Sequence, residues 1–187
     1  MKKFLDNSLA LCEVFTFREG LLAAFGHDLR INVTSFTIEI DKNPPGIRAA
    51  FDAGSLRADC AMEGGLPRPD LLSDKDRREI DDNIIKGVLE AGKYEEIRFV
   101  SSNIGKKEPG YQVEGELVLH SATRRISFAA SKEEAYYVSD VRLHLPDFGI
   151  KPFSAAWGTM RVKPDVLVRV RLPAAELEGF KKNENSP

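Results

Sequence analysis

The residues that could do chemistry are few and scattered. The chain has three histidines, His27, His120 and His144, and two cysteines, Cys12 and Cys60. No two histidines stand at the i, i+2 or i, i+4 spacing that lets side chains share a metal ion, and no CxxC pair occurs. There is no GxSxG elbow, no glycine-rich phosphate loop and no Cys-His pair at a strand–helix junction. The most enzyme-like feature is His27-Asp28, because a histidine base needs a carboxylate to orient it. Neighbours on a strand point to opposite faces, so Asp28 cannot do this for His27 directly. Asp28 reads better as holding a tight turn after Gly26, with His27 capping that turn or meeting a polar headgroup at an opening. A hydrolase-like enzyme using His27 stays open beside this, and would need a second polar group converging on the ring. His144 has the opposite parity to Leu143 and Leu145 and is expected to face outward, while His120, ending a strand opposite in parity to Leu117 and Leu119, is expected to be exposed or to make a hairpin hydrogen bond. Cys12 reads as a small buried residue and Cys60 as a loop thiol. No cofactor and no metal is implied.

The composition sets the frame for these residues. The chain has 187 residues, 27 Lys+Arg against 29 Asp+Glu, and a net charge of −2. That length predicts a single domain over 1–187 able to bury roughly 70% of its unfolded surface. A near-neutral chain without polybasic runs lacks the footprint of a nucleic-acid or anionic-membrane binder. With 42% hydrophobic and 30% charged residues it reads as a soluble globular protein, and no apolar run approaches a transmembrane span. Phe supplies 11 aromatics against one Trp and four Tyr, which predicts an interior with few polar handles. Met1-Lys2-Lys3 opens like a signal peptide, but Asp6, Asn7 and Glu13 interrupt the apolar region and no small-x-small site follows. The chain is therefore expected to stay in the cytoplasm, or to be periplasmic if its start lies elsewhere.

The elements that must position these residues are mostly strands. Leu9, Leu11, Phe15 and Phe17 share one parity, broken by Glu13, and that parity is expected to face inward. Leu29, Ile31 and Val33 take one parity and Phe36, Ile38 and Ile40 the other, which predicts a bulge or bend at Thr34-Ser35. Residues 54–72, with Gly64, Gly65, Pro67 and Pro69, lose periodicity and read as a long loop. A helix over 74–91 follows. Ser73 and Asp76 suggest a capping box, Ile80, Ile84, Ile85, Val88 and Leu89 form one stripe, and Gly92 is the expected stop. Period two returns at Ile97 and Phe99. It continues through Tyr111, Val113, Leu117 and Leu119, through Ile126 and Phe128, through Val141, Leu143 and Leu145, and through Val166, Val168 and Val170. Short turns between such runs predict an all-β fold: an antiparallel up-and-down barrel of about eight strands with one α-helix packed on it. A two-sheet sandwich is the alternative. The core is expected over about 9–172, and the polar tail 181–187 is expected to fray.

Four segments, taken in order, resemble a known family. They are Phe51-Asp52-Ala53-Gly54-Ser55-Leu56, then Ala91-Gly92-Lys93-Tyr94 leading to Ile97-Arg98-Phe99, then Tyr111 to Ile126, and finally Asp147-Phe148-Gly149-Ile150. Their order and spacing are similar to the YceI-like family of lipocalin-like, isoprenoid-binding proteins. The resemblance implies an elongated lipocalin-like barrel closed at one end by the helix, and a long apolar isoprenoid or other lipid carried along its axis. It implies a binding protein rather than an enzyme. Two departures stand out: Ser121-Ala122 where the family has Gly-Val, and the Gly26-His27-Asp28-Leu29 form near the N-terminus. Parity and resemblance together give an expected ligand lining of Phe15, Phe17, Phe25, Ile31, Phe99, Phe128, Leu143, Phe148 and Trp157, with His27 at the opening. Phe25 and Trp157 are placed by loop position alone. A solid barrel stuffed by its own side chains is the structural or regulatory alternative, since eight strands leave little room. A homodimer stays open.

Overall fold

The structure is a computed structural model that describes residues 2–19, 27–155 and 160–178. One antiparallel sheet dominates it. Its strands are β1 (Lys2–Asp6), β2 (Leu11–Thr16), β4 (Asp28–Val33), β5 (Phe36–Lys42), β6 (Pro45–Asp52), β7 (Leu56–Glu63), β8 (Leu66–Arg68), β9 (Glu96–Lys107), β10 (Gly110–Leu119), β11 (Ala122–Glu133), β12 (Tyr136–His144) and β15 (Asp165–Pro173). A small second sheet holds β3 (Arg18–Glu19), β13 (Ser154–Ala155) and β14 (Met160–Val162). The main sheet runs in the order β1-β5-β6-β9-β10-β11-β12-β15-β2-β4-β7-β8.

The sheet therefore has twelve strands rather than about eight. The reason is bending. β1 runs on into β2, β4 into β5 across Thr34-Ser35, and β6 into β7 across a 3-10 turn at Ala53–Ser55. Each bent stretch supplies one strand near either end of the sheet order, so chain continuity ties the two ends together and the sheet curls into a barrel-like wall. The bend at 34–35 falls where the inward parity switches. Ser55 fixes it: its carbonyl accepts from Thr34 N at 3.1 Å, and its hydroxyl accepts from Ser35 N at 3.1 Å. Ile31, Val33, Phe36 and Ile38 are all buried as a result.

Two other expectations fail. Residues 54–72 are largely strand, not loop: β7 and β8 form a hairpin turned by Gly64 and Gly65, whose φ of 58° and 81° suit glycine. The alternation there was carried by small residues, Ala58 and Cys60 against Arg57 and Asp59, which weakens the period-two signal. The core also starts before residue 9, because β1 pairs with β5 and buries Leu5 completely.

The helix begins as expected. α1 (Asp74–Asp82) has a capping box, with Asp76 N donating to the Ser73 hydroxyl and Ser73 N to the Asp76 carboxylate. A π-helical turn, Asn83–Val88, continues it. Gly92 does not stop the helix; Glu90 does, in a left-handed conformation at φ 47°. α1 lies on β7 where residues 56–60 have no second strand partner among the described residues. There Asp81 accepts from Ala58 N at 2.6 Å and Arg77 donates to the Asp59 carbonyl at 3.1 Å, so the open edge is satisfied. A short α2 (Ala174–Glu178) ends the described chain.

Candidate functional site

The curled sheet encloses a cavity of about 210 Å³. Its walls are the inward-facing rows that the period-two pattern defines, such as Val113, Leu117 and Leu119 on β10 and Val166, Val168 and Val170 on β15. Among the described lining residues Ser139 supplies the one hydroxyl and Cys12 the one thiol. Burial, with the Glu13 carboxylate alongside, pushes the Cys12 thiol up to about 12. It stays protonated and is chemically inert. An apolar cavity of about 150 Å³ already stays dry and admits a molecule such as benzene, so this larger one is a credible ligand site. Val166 and Leu172 both line it and lie six residues apart on one face of β15, which gives a length on the order of 20 Å.

Gly115 explains how two phenylalanines leave that space open. It sits on β10 between β9 and β11, and lacks the side chain that would separate their inward residues. Phe99 from β9 leans over it to meet Phe128 from β11 at 5.5 Å between ring centroids. A Cβ on Gly115 would lie 2.6 Å from the Phe99 ring and 2.4 Å from the Val100 carbonyl oxygen. The missing side chain thus lets the two rings meet over the wall that β9, β10 and β11 form.

One end of the cavity is shut by Leu89, Leu119 and Leu145, which follow the π-helical turn, end β10 and open a 3-10 turn at Leu145–Phe148. His120, expected to be exposed or to make a hairpin hydrogen bond, is packed at this end with its side chain 6% exposed. Its Nε2 lies 2.8 Å from the Glu90 carboxylate, its Nδ1 3.2 Å from the Ser121 hydroxyl, and its ring 3.8 Å from that of Tyr94. The left-handed His120 backbone, φ 52°, turns the side chain back toward the helix, an effect parity counting cannot register. His144 is exposed as expected and bonds Asp165 at 2.9 Å.

The expected lining residues divide. Phe99, Phe128 and Leu143 line the cavity. Ile31 and Phe148 are buried in the core but are not lining residues. Phe15 and Phe17 are half-buried and also lie outside the lining. The inward parity of β2 is the opposite of that expected: Cys12 and Val14 face the cavity, while Leu9 and Leu11 are exposed. The larger apolar residues misled because Phe15 is covered on the outside by the Arg169 guanidinium, 5.8 Å from its ring centroid. His27 is half-buried and is not a lining residue. Asp28 begins β4 and accepts from Arg18 N at 2.8 Å, while Gly26 and the turn expected after it lie at the edge of the described residues. Phe25 and Trp157 lie outside the described residues. Sequence reasoning passed over Phe51, Leu89 and Ser139 as lining residues, although each sits in a run whose parity or stripe was visible. Among the described residues no cluster of three or more His, Cys, Asp or Glu could hold a metal ion, and no helix is long and apolar enough to cross a membrane.

Comparison with known proteins places the fold. The chain resembles BcnA of Burkholderia cenocepacia at 15% identity, over 86% of this chain and 94% of that one, with a TM-score of 0.55. A polyisoprenoid binding domain from Saccharophagus degradans, implicated in plant cell wall breakdown, aligns at 9% identity over 92% and 98% of the two chains, with a TM-score of 0.49. A Campylobacter jejuni YceI protein aligns at 11% identity over 65% and 71%, with a TM-score of 0.45. No curated protein matches the chain. The YceI-like domain profile matches residues 13–174, a span running from β2 to the first residue of α2, and the chain belongs to the YceI-like family.

Proposed function

We propose that this protein binds a long, slender apolar molecule, an isoprenoid or a related lipid, inside the curled sheet, and that it is a carrier rather than an enzyme. The observation that carries this reading is the cavity itself: on the order of 20 Å long and walled almost wholly by aliphatic and aromatic side chains. Among the described lining residues there is one hydroxyl and one thiol but no carboxylate, imidazole or amine, whereas every buried ligand methylene contributes about 0.8 kcal/mol by leaving water. Affinity is expected to come from length. A polar headgroup is met outside the apolar lumen, and His27 remains the candidate for that contact.

A series of prenyl alcohols of increasing length tests the reading. Dissociation constants should fall with each added isoprene unit until the lumen is filled, then level off. Replacing His27 with Ala should alter preference among headgroups while leaving that length dependence intact. Affinity independent of length, or no binding of any member, would overturn the proposal and favour a solid structural barrel.

A further inference from the structure

Three turns meet at the shut end of the cavity, and His120 joins them. Leu89, Leu119 and Leu145 line the cavity there. Glu90 directly follows the first, His120 the second, and the third opens the turn that Phe148 ends. The Glu90 carboxylate takes one side of the His120 ring at 2.8 Å, and the Ser121 hydroxyl the other at 3.2 Å. That hydroxyl also lies 3.3 Å from the Phe148 carbonyl oxygen. Glu90 and His120 both hold left-handed backbone at φ 47° and 52°, a conformation that persists in non-glycine residues only where the surroundings impose it. The helix leading into Glu90 is π-helical, with Leu89 N donating to the Ile84 carbonyl at 2.8 Å, and such turns are rare and frequently mark functional sites.

The hydrogen positions follow from the partners. A carboxylate only accepts, so Nε2 carries a proton toward Glu90 in either charge state of the ring. In the neutral ring Nδ1 accepts, and the Ser121 hydroxyl donates to it and is turned away from Phe148. In the protonated ring Nδ1 donates to Ser121, whose own hydrogen is then free for the Phe148 carbonyl. One proton thus charges the pair with Glu90 and adds the bond that ties in the third turn. We propose that His120 is a proton-operated latch that closes this end of the cavity when protonated and loosens the helix end when neutral. The consequence for ligand release rests on the binding function proposed above. The groups facing His120 are Glu90, Tyr94, Ser121 and, across the Tyr94 ring at 4.8 Å, Lys93. The third turn also carries the exposed Asp147. Of these side-chain types an imidazole is the one that ordinarily changes charge between pH 5 and 8.

Hydrogen exchange of amides 84–91, corrected for intrinsic rates and measured at about pH 5.5 and about pH 8, tests the latch without any ligand. Protection should be about fivefold higher at the lower pH, the scale of one partly exposed ion pair. His120→Gln and Glu90→Gln should each flatten the dependence, and His144→Gln should leave it intact. Should the His120 variant fail to fold, the Glu90 variant decides, since its side chain is half exposed. In parallel, release of N-phenyl-1-naphthylamine from the protein into phosphatidylcholine vesicles should slow about fivefold at the lower pH, in the unmodified chain and the His144 variant but in neither latch variant. Exchange that is flat with pH, or unaffected by both latch variants, overturns the latch even if the dye is retained. A pH-dependent exchange pattern with no retained dye upholds the latch and overturns the binding function.

Discussion

Gly115 decides where two aromatic rings go, and the size of the cavity follows from that. A methyl group at this position would press on the Val100 carbonyl, which cannot move without its strand, and on the Phe99 ring, which can. Gly115→Ala is expected to cost about 1–3 kcal/mol through this overpacking. It should also swing Phe99 into the lumen, so a lowered melting temperature and weaker binding of long prenyl alcohols should appear together. A melting temperature unchanged by the methyl group would show that the wall yields freely. Phe128 faces the same space without the backbone constraint. Phe128→Trp adds a ring partway along the cavity and should weaken long ligands more than short ones, which a comparison of farnesol with geraniol would read directly.

The helix depends on its own cap and on its packing against the core, and the two differ in cost when lost. Its capping box satisfies amide donors at an exposed end, so Ser73→Ala should lower stability by about 1 kcal/mol. Ile84, Ile85 and Val88 pack their aliphatic surface on the core, and Leu89 reaches the cavity. Ile84→Asp places an unpaired carboxylate in that contact and should cost about 2–3 kcal/mol, more than the cap. Chemical denaturation of the two variants checks the order. Equal losses would mean that the helix depends on its own ends rather than on packing. Asp81 and Arg77 add to the packing by bonding the backbone that β7 leaves open.

Across the whole molecule, the outer face of the sheet is organised by charge as the inner face is by apolar surface. Arg169 forks onto Asp140 with two bonds of 2.7 Å. Glu13, buried despite facing outward, accepts from Arg171 at 2.7 Å with Arg30 at 3.8 Å. These pairs lace β12, β15, β2 and β4 together. The bond from Arg169 holds the Asp140 carboxyl below its ordinary value. A depressed carboxyl contributes stability that is present above its unfolded pKa of about 3.9 and is lost as pH falls through the lower folded value. Asp140 is partly exposed, so this contribution should stay below about 1 kcal/mol. Melting curves between about pH 6 and about pH 2 should show a smaller acid loss for Arg169→Gln than for the unmodified chain. An equal loss in both would place the acid sensitivity in other carboxylates.

Composition and local pattern by themselves determined the all-β class, the helix start at Ser73, the bend at Thr34-Ser35 and the inward rows of β9, β10, β11, β12 and β15. In each case the reason is local: a side-chain period, a cap, or a parity switch acts over a few residues and leaves its mark there. The resemblance carried by four segments pointed to the family as well. Only the tertiary structure decided which face of β2 is inside, because Arg169 comes from a strand more than 150 residues away to cover Phe15. It also turned the 54–72 region into strand, since the small side chains of β7 gain their order from pairing with β4 and from α1. The strand count depended on bends whose pieces pair with different neighbours. His120 shows the limit most plainly: parity left it either exposed or in a hairpin bond, the bond to Ser121 is local, and its burial comes from a left-handed backbone together with Glu90, 30 residues away. Whether the interior is solid or open was equally a matter of assembly, because an eleven-phenylalanine chain can fill a barrel or line one, and the register that sets Gly115 between Phe99 and Phe128, shifted at Glu114/Gly115, is not written in the side-chain period.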